Sequence, residues 1–196
     1  RRLMQQSEEI FRNHPVNLAR KARGEKPATG IWLFWSSGQI PQMPPFREVY
    51  GLQAALTSGV DLLMGLAKMA DITLLEIPGV TDGMDNDFAG QAAGAIKALN
   101  SFDLVIIHVE APDEAGHSGS IENKVAAIEK IDSEIIGKLC SRNRGDMRLL
   151  VMPDHHTPIK IRTHAGEPVP FLLWGTGISP SGARQFSEKE AAKTGV

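Results

Sequence analysis

The sequence predicts an α/β fold with a mostly parallel sheet and helices on both faces. Its apolar residues fall into five short runs that are continuous rather than alternating, as is typical of parallel strands buried on both faces. The segments between the runs show helical spacing, and this alternation of strand and helix indicates a doubly wound sheet. The predicted strands are Ile31–Trp35, Ile72–Ile77, Leu104–Val109, Arg148–Met152 and Phe171–Trp174.

Helices are predicted between these strands. Val49–Leu56 and Val60–Met69 are apolar enough to pack on a sheet, and Phe88–Leu99 is rich in alanine and follows three good capping residues. The longest predicted helix, Ile121–Leu139, has apolar side chains at every third or fourth position, which predicts one buried stripe. Ser120 is its predicted N-cap.

Three regions are expected along the chain. Residues 1–30 read as a polar helix followed by a stretch containing glycine and proline, typical of a segment from a preceding or cap region. Residues 31–178 hold the predicted strands and form the α/β domain. Residues 179–196 form a polar tail at the surface. Because the chain does not begin with methionine, we expect it to be part of a longer protein.

Composition excludes several classes of partner. Lys and Arg number 21 against 23 Asp and Glu, so the formal charge of -2 gives no reason to expect nucleic acid or an anionic membrane as partner. No apolar run approaches the roughly 20 residues that span a bilayer. The single cysteine, Cys140, cannot form an internal disulfide, which favours a reduced compartment and predicts a cytoplasmic protein.

Side chains that bind metal ions are concentrated after two of the predicted strands. In an open parallel sheet, ligands bind beyond the carboxyl ends of the strands. Four of the six histidines lie in these two loops or just after them, together with carboxylates. The residues concerned are Glu110, Asp113, Glu114 and His117 after the third strand, Asp154, His155 and His156 after the fourth, and His164 before the fifth.

Carboxylate oxygen and imidazole nitrogen together suit Mn, Zn or Fe, whereas shells of oxygen alone favour Mg or Ca. Asp113 and His117 are spaced to hold one ion from a single loop, and the adjacent Asp154 and His155 could serve a second. Paired ions roughly 3.5–4 Å apart are common in phosphoryl transfer. The alternative is structural, because Asp113 could cap a helix and Asp154 could close an Asx turn. The clustering favours the metal site.

Long motifs resemble those of a known family. Ala111-Pro112-Asp113-Glu114-Ala115-Gly116-His117, followed by Lys124, resembles the signature of the archaeal-type cofactor-independent phosphoglycerate mutases, in the alkaline phosphatase superfamily. Pro153-Asp154-His155 with Thr157-Pro158, then Thr163-His164 and Pro168-Val169-Pro170-Phe171, is similar to the closing motifs of that family. The resemblance runs from about Glu9 to Trp174.

The resemblance implies an alkaline phosphatase-like fold, incomplete here because its amino-terminal part is absent. It also implies a metal-dependent mutase that interconverts 3- and 2-phosphoglycerate through a phosphoserine, with a small phosphorylated metabolite as substrate. Two divalent ions are implied, Mn²⁺ first, with Mg²⁺, Zn²⁺ or Co²⁺ as alternatives. Asp113, His117 and His164 are expected on one ion, and Asp154 and His155 on the other.

The nucleophile implied by the resemblance is not found in this sequence. The family takes its serine and a further aspartate from the amino-terminal part, near an Asp-Gly motif after the first strand. Asp82-Gly83 is the only Asp-Gly dipeptide and follows a different predicted strand. We therefore expect no catalytic residue of this kind here, an inactive isolated chain, and the missing amino-terminal part as partner.

Other interpretations remain open at this point. Ser118, in a sequence close to a nucleophile elbow, is a candidate nucleophile of the serine-hydrolase kind. Arg20 is a candidate for binding a substrate carboxylate or phosphate, although such basic clusters are more often solvated helix ends. A related phosphotransferase, such as a homoserine kinase-like enzyme, and a non-catalytic metal-binding fragment are the alternative functions.

Overall fold

The computed structural model describes residues 1–34, 38–142 and 147–195 and divides the chain into two compact units, Arg1–Gln42 and Met43–Val196. The first unit holds helices α1 (Arg2–Arg12) and α2 (Pro15–Ala22). The buried Asn17 joins its segments, because its side-chain amide donates to the carbonyls of Phe11 and Ala28 and accepts from the Ala28 amide.

The second unit alternates helices and strands. Its elements are α3 (Phe46–Tyr50), β1 (Ala54–Thr57), α4 (Asp61–Met69), β2 (Thr73–Leu74), α5 (Phe88–Ala98), β3 (Leu104–Ile107), α6 (Ala111–Ser118), α7 (Ile121–Lys130), a π-helical segment (Ile131–Ile136), α8 (Gly137–Arg142), β4 (Arg148–Val151), β5 (Leu172–Gly175) and α9 (Glu188–Ala191).

A three-stranded parallel sheet, in the order β2-β1-β3, forms the centre of this unit. All four residues of β1 are buried. Because successive side chains of a strand point to opposite faces, both faces of the sheet are covered at β1. The predicted α/β fold class, with a parallel sheet and helices, is confirmed.

The core lies between α5, the long helical stretch from Ile121 to Arg142, and β3. The stripe predicted for that stretch is buried only in its second half, where Ile135 and Leu139 belong to the core. Its first half is exposed, at Ile121, Val125 and Ile128, so the prediction of one continuous buried stripe is wrong there. Alanine completes the packing, since Ala92, Ala111 and Ala127 are almost fully buried and allow close approach. The stretch is helical throughout, as predicted, and its middle turn is π-helical.

One predicted helix is wrong. Val49–Leu56 was expected to be helical, but α3 ends at Tyr50, Gly51 adopts φ 72°, and Ala54–Thr57 is the central strand. A left-handed glycine after the last helical residue is a common helix end. The strand was missed because its alanines resemble a helical sequence and its four residues are too short to show a period.

The prediction that all five apolar runs belong to one sheet is also wrong. Arg148–Val151 pairs antiparallel with Leu172–Gly175 in a separate two-stranded sheet, so neither run is a parallel strand of the main sheet. Ile31–Phe34 forms no strand, and Trp35 lies outside the described residues. Ile72–Ile77 is reduced to the two residues of β2. The predicted domain boundaries at residues 30 and 178 stay predictions.

Within the described residues, no helix is long and apolar enough to span a bilayer.

Candidate metal centre

Helix α6 presents the first two candidate ligands on one face. It starts after β3 and carries Pro112 in its first turn, where the missing N–H is not needed for helical hydrogen bonding. Asp113 and His117 are four residues apart, so their side chains lie one above the other. Nε2 of His117 is 3.2 Å from Oδ2 of Asp113.

His164 joins this pair from the segment before β5. Its Nε2 lies 3.5 Å from Oδ1 of Asp113 and 3.1 Å from Nε2 of His117. The predicted convergence of Asp113, His117 and His164 is thus a feature of the structure. The role of the three as metal ligands stays a prediction.

The loop after β4 brings Asp154 and His155 to the same place. The imidazole of His155 stacks on that of His164, with centroids 3.8 Å apart. One ligand atom each of Asp113, His155 and His164 lies within 4.8 Å of the others. Asp154 lies at the edge, with Oδ2 3.4 Å from Nε2 of His155 and its side chain 75% exposed. His155 therefore lies beside Asp113 and His164, which were expected to bind a different ion. The division of the ligands between two ions stays a prediction.

Hydrogen bonds orient two of the imidazoles. Nδ1 of His117 is 3.0 Å from the carbonyl oxygen of Arg162, which can only accept, so this nitrogen carries the hydrogen. The Thr157 hydroxyl donates to Oδ1 of Asp113, so it must accept from Nδ1 of His155, 3.2 Å away. In the neutral form of either ring, Nε2 then carries the lone pair, which is the form that ligates a metal. The residues present therefore fit a divalent ion.

Close packing fixes the loop that carries Thr157. Nζ of Lys124, on α7, donates to the Thr157 carbonyl at 2.8 Å. At Gly116, on α6, an added Cβ would lie 2.6 Å from the carbonyl oxygen of Thr157 and 2.8 Å from its Cγ2. The α6 backbone thus approaches the loop so closely that only glycine fits without a shift.

Two ionisable groups beside the cluster have shifted pKa values. Burial lowers the pKa of His108, although the carboxylates of Asp154 and Asp113 act to raise it. Burial raises the pKa of Glu110, and Asp113, Asp154 and Glu114 raise it further, while His155 acts to lower it. Nε2 of His108 lies 3.2 Å from Oε2 of Glu110, a contact that is an ion pair only when His108 is protonated. Because burial favours the neutral form of the His108 ring, this contact is a hydrogen bond and not an ion pair.

The other residues singled out from the sequence have structural partners. Nε2 of His156 contacts the Pro168 carbonyl at 3.0 Å. Ser118 donates to the Ala115 carbonyl within its own helix. Arg20 belongs to the first unit, where it donates to the Lys26 carbonyl and pairs with Glu25, and its predicted role in substrate binding stays a prediction.

Sequence reasoning missed Ser58, whose Oγ lies 3.0 Å from Nδ1 of His108. It also missed the contacts that His108, Glu110 and Thr157 make beside the cluster. His108 was counted as part of a strand, and Ser58 followed a strand that was mistaken for a helix. Had Gly51 been recognised as a helix end, β1 would have been visible, and Ser58 would have stood at the carboxyl edge of the sheet. For Thr157 the sequence holds no signal, because its bonds depend on where α6 lies.

A family model described as the Metalloenzyme superfamily matches residues 7–195. The chain is 43% identical over 196 residues to the 2,3-bisphosphoglycerate-independent phosphoglycerate mutase of Methanothrix thermoacetophila, covering 98% of this chain and 50% of that protein. It is 38% identical to a probable enzyme of the same name from Geobacter sulfurreducens, covering 99% and 49%. The chain thus spans about half the length of the curated relatives it matches.

Two solved structures are similar. A protein from Pyrococcus horikoshii superimposes with a TM-score of 0.83 at 29% identity, covering 97% of this chain and 50% of that one. The cofactor-independent phosphoglycerate mutase from Thermoplasma acidophilum superimposes with a TM-score of 0.61 at 24% identity, covering 96% and 44%, and supports the fold alone.

Proposed function

Because the chain belongs to the Metalloenzyme superfamily, we propose that it supplies most of the metal ligands of a phosphoglycerate mutase that interconverts 3- and 2-phosphoglycerate. The observation that carries this proposal is the convergence of Asp113 and His117 on α6 with His155 from the loop after β4 and His164 from the segment before β5. The names of the relatives support the choice of reaction.

In this proposal Asp113, His117 and His164 hold one divalent ion, and Asp154 and His155 hold a second. The mixture of carboxylate and imidazole favours Mn²⁺, with Zn²⁺, Co²⁺ and Mg²⁺ as alternatives. When bound, such ions neutralise charge on a transferring phosphoryl group and lower the pKa of a coordinated hydroxyl.

Hydrogen bonds within this chain fix the orientation and the tautomer of the groups that would donate to the metal. Thr157 fixes the Asp113 carboxylate and the tautomer of His155, and the Arg162 carbonyl fixes the tautomer of His117. Donors held in this way need little rearrangement during the reaction. Lys124 secures the loop from α7.

The remaining parts of the site belong, in this proposal, to the rest of a full-length parent about twice as long. That part supplies the serine that carries the phosphoryl group and a further aspartate for the second ion. The parent acts in the cytoplasm on a small phosphorylated metabolite.

The experiment is an assay of the full-length parent with Mn²⁺ and 3-phosphoglycerate. Replacing Asp154 or His117 by alanine should lower turnover by ~10³-fold or more, because positioning and electrostatics supply most of the acceleration in phosphoryl transfer. His156→Gln is the matched control, since that imidazole contacts a carbonyl elsewhere. A parent that binds Mn²⁺ through these residues but acts only on another phosphorylated or hydroxylated metabolite would contradict the choice of substrate. A parent that binds no divalent ion would contradict the whole proposal.

A further inference from the structure

The ends of two neighbouring strands bring Ser58 and His108 together. Thr57 and Ile107 are paired in the parallel ladder, so the next residue of each strand lies at the same edge of the sheet. The His108 amide donates to the Thr57 carbonyl at 2.9 Å, which extends the ladder by one bond. Oγ of Ser58 then lies 3.0 Å from Nδ1 of His108.

These two side chains and Glu110 form a directed chain of hydrogen bonds. The Glu110 carboxylate, when ionised, only accepts, so Nε2 of His108, 3.2 Å away, carries the hydrogen. In the neutral ring Nδ1 is then the acceptor and takes the Ser58 hydroxyl hydrogen. The Val60 amide donates to Oγ of Ser58 at 3.0 Å, which fixes the hydroxyl oxygen as an acceptor on its other side. The order serine, imidazole and carboxylate is the order found in relays that remove a proton from a hydroxyl.

Buried contacts hold this chain in place. Gln91 is fully buried, and its side-chain amide donates to the His108 carbonyl at 3.1 Å and to the Thr57 hydroxyl at 3.2 Å. It is itself fixed by Asn86, whose amide donates to its Oε1 at 2.7 Å. A Cβ at Gly59 would lie 2.3 Å from the carbonyl carbon of Thr81, so the turn after Ser58 has no room to move in that direction.

The three side chains of this hydrogen-bonded chain are largely buried, and Ser58 keeps only 9% of its exposure. The side chains of His108 and Glu110 keep 20% and 25% of their exposure. Ser58 lines a cavity of about 530 Å³ together with Lys68 and Glu76, a volume within the range of small-molecule sites. Glu110 faces the metal cluster, with ligand atoms of Glu110, Asp113 and Glu114 within 4.8 Å of one another.

We propose that Ser58, His108 and Glu110 form a proton relay for the substrate hydroxyl that receives or releases the phosphoryl group. As the phosphorus–oxygen bond forms, the substrate O–H bond breaks and its proton passes to Oγ of Ser58. The serine proton passes to Nδ1 of His108, and Glu110 stabilises the resulting imidazolium. Transfer in the reverse direction returns the proton to the leaving alkoxide. This inference rests on the proposed function, because it assumes transfer to and from an alcohol.

The electrostatic surroundings agree with this role. Burial lowers the pKa of His108, so the ring is neutral and able to accept a proton near neutral pH. In the metal-free chain the carboxylates of Asp154 and Asp113 oppose that shift. Lys68 and Glu76 line the cavity beside Ser58, and Glu114 and His155 act on the pKa of Glu110 in opposite directions.

The first test uses turnover of 3-phosphoglycerate by the full-length parent. Ser58→Ala and Glu110→Gln should each lower kcat by ~10²-fold or more, the usual contribution of general acid–base catalysis, with KM and the Kd for Mn²⁺ within about threefold of the parent values. Ser58→Thr keeps a hydroxyl and should restore most of the loss. Ser101→Ala, at an exposed serine, is the matched control. The relay would be overturned if the Ser58→Ala variant kept a kcat within about threefold of the parent value. It would also be overturned if this variant lost Mn²⁺ affinity by the same factor as kcat.

The second test does not depend on activity. In the parent labelled with ¹⁵N-histidine, the His108 signals, identified by their loss in His108→Gln, should show hydrogen on Nε2 and none on Nδ1. Ser58→Ala should shift the Nδ1 resonance and leave the Nε2 hydrogen in place. Hydrogen on Nδ1 of the unaltered protein would overturn the relay. An inactive parent would contradict the proposed function. The relay would then be tested by which ring nitrogen of His108 carries the hydrogen.

Discussion

At the scale of single residues, the Thr157 hydroxyl connects two candidate ligands. It is buried, donates its one hydrogen to Asp113 and accepts from His155, so it fixes a carboxylate rotamer and an imidazole tautomer together. Residues of this kind commonly change metal affinity without touching the metal.

Thr157→Val should therefore weaken Mn²⁺ binding by ~10–100-fold, because valine keeps the shape of threonine and loses the hydroxyl. Thr157→Ser should retain most of the affinity. Isothermal titration of Mn²⁺ into the metal-free parent measures both values, with Thr29→Val, at an exposed threonine of the first unit, as control. Equal affinities for the valine variant and the parent would show that Thr157 only packs.

The lowered pKa of His108 predicts how the free energy of unfolding depends on pH. Burial lowers this pKa below its ordinary value of 6.5, so the unfolded chain binds the proton more tightly than the folded one. The free energy of unfolding should therefore decrease as pH falls below 6.5 toward the folded pKa. Glu110 acts in the opposite direction, since its raised pKa favours the fold as it becomes protonated.

Urea unfolding of this chain and of His108→Gln between pH 7.5 and 5 separates the two groups. The difference between the two stability curves reports His108, and the chain with histidine should lose more stability on acidification. Parallel curves of unfolding free energy against pH would mean that His108 has the same pKa in the folded and the unfolded chain. Glu110→Gln provides the complementary curve.

At the scale of elements, the sequence predicted long helices well and strands poorly. The stretch from Ile121 to Arg142 repeats its apolar stripe over several turns, and such a period is visible without knowledge of the rest of the chain. The strand Ala54–Thr57 has only four residues and is buried on both faces, so it shows no alternation. Leu172–Gly175 was recognised as a strand, but its antiparallel direction depends on its partner, which no local pattern encodes.

The same contrast applies to the candidate site. The side chains of Asp113, His117, Asp154, His155 and His164 lie within motifs. The positions of loops at strand ends predicted a metal site there, and the family resemblance implied which of these side chains converge. Ser58 and His108 lie next to each other because two strands pair in a particular register. Such a register is a tertiary property. The missed strand concealed Ser58, and His108 was counted within a predicted strand.

Close approach between α6 and the loop of Thr157 predicts opposite effects at two helical glycines. Gly116→Ala places a Cβ within 2.6 Å of a carbonyl oxygen, so the loop must shift, at a cost of about 1–3 kcal/mol of unfolding free energy and with weaker Mn²⁺ binding. Gly65→Ala, in α4, has open space and should stabilise the chain by about 0.5–1 kcal/mol. Urea unfolding measures both, and equal stability of the two variants would contradict the close approach.

At the scale of the whole molecule, large apolar side chains of the two-stranded sheet remain accessible. Leu150 of β4 is 55% exposed, and Leu173 and Trp174, successive residues of β5, are 44% and 40% exposed. Because successive side chains point to opposite faces, both faces of this sheet are open to solvent in the chain alone. Strands with such composition are normally covered on both faces.

The last prediction concerns activity of the chain by itself. In the proposed mutase, the serine nucleophile and one aspartate ligand come from the rest of the parent, and phosphoryl transfer depends almost entirely on positioned groups and charges. The 196-residue chain should therefore show no turnover of 3-phosphoglycerate with Mn²⁺, whereas the parent should be active. The chain should still bind Mn²⁺ through its own ligands, more weakly than the parent, so calorimetry with His117→Ala as control separates an inactive chain from an unfolded one. Turnover by the chain at a rate like that of the parent would contradict the division of the site between two parts. Ser118, one turn of α6 beyond Glu114 and adjacent to His117, would then be the first serine to replace by alanine.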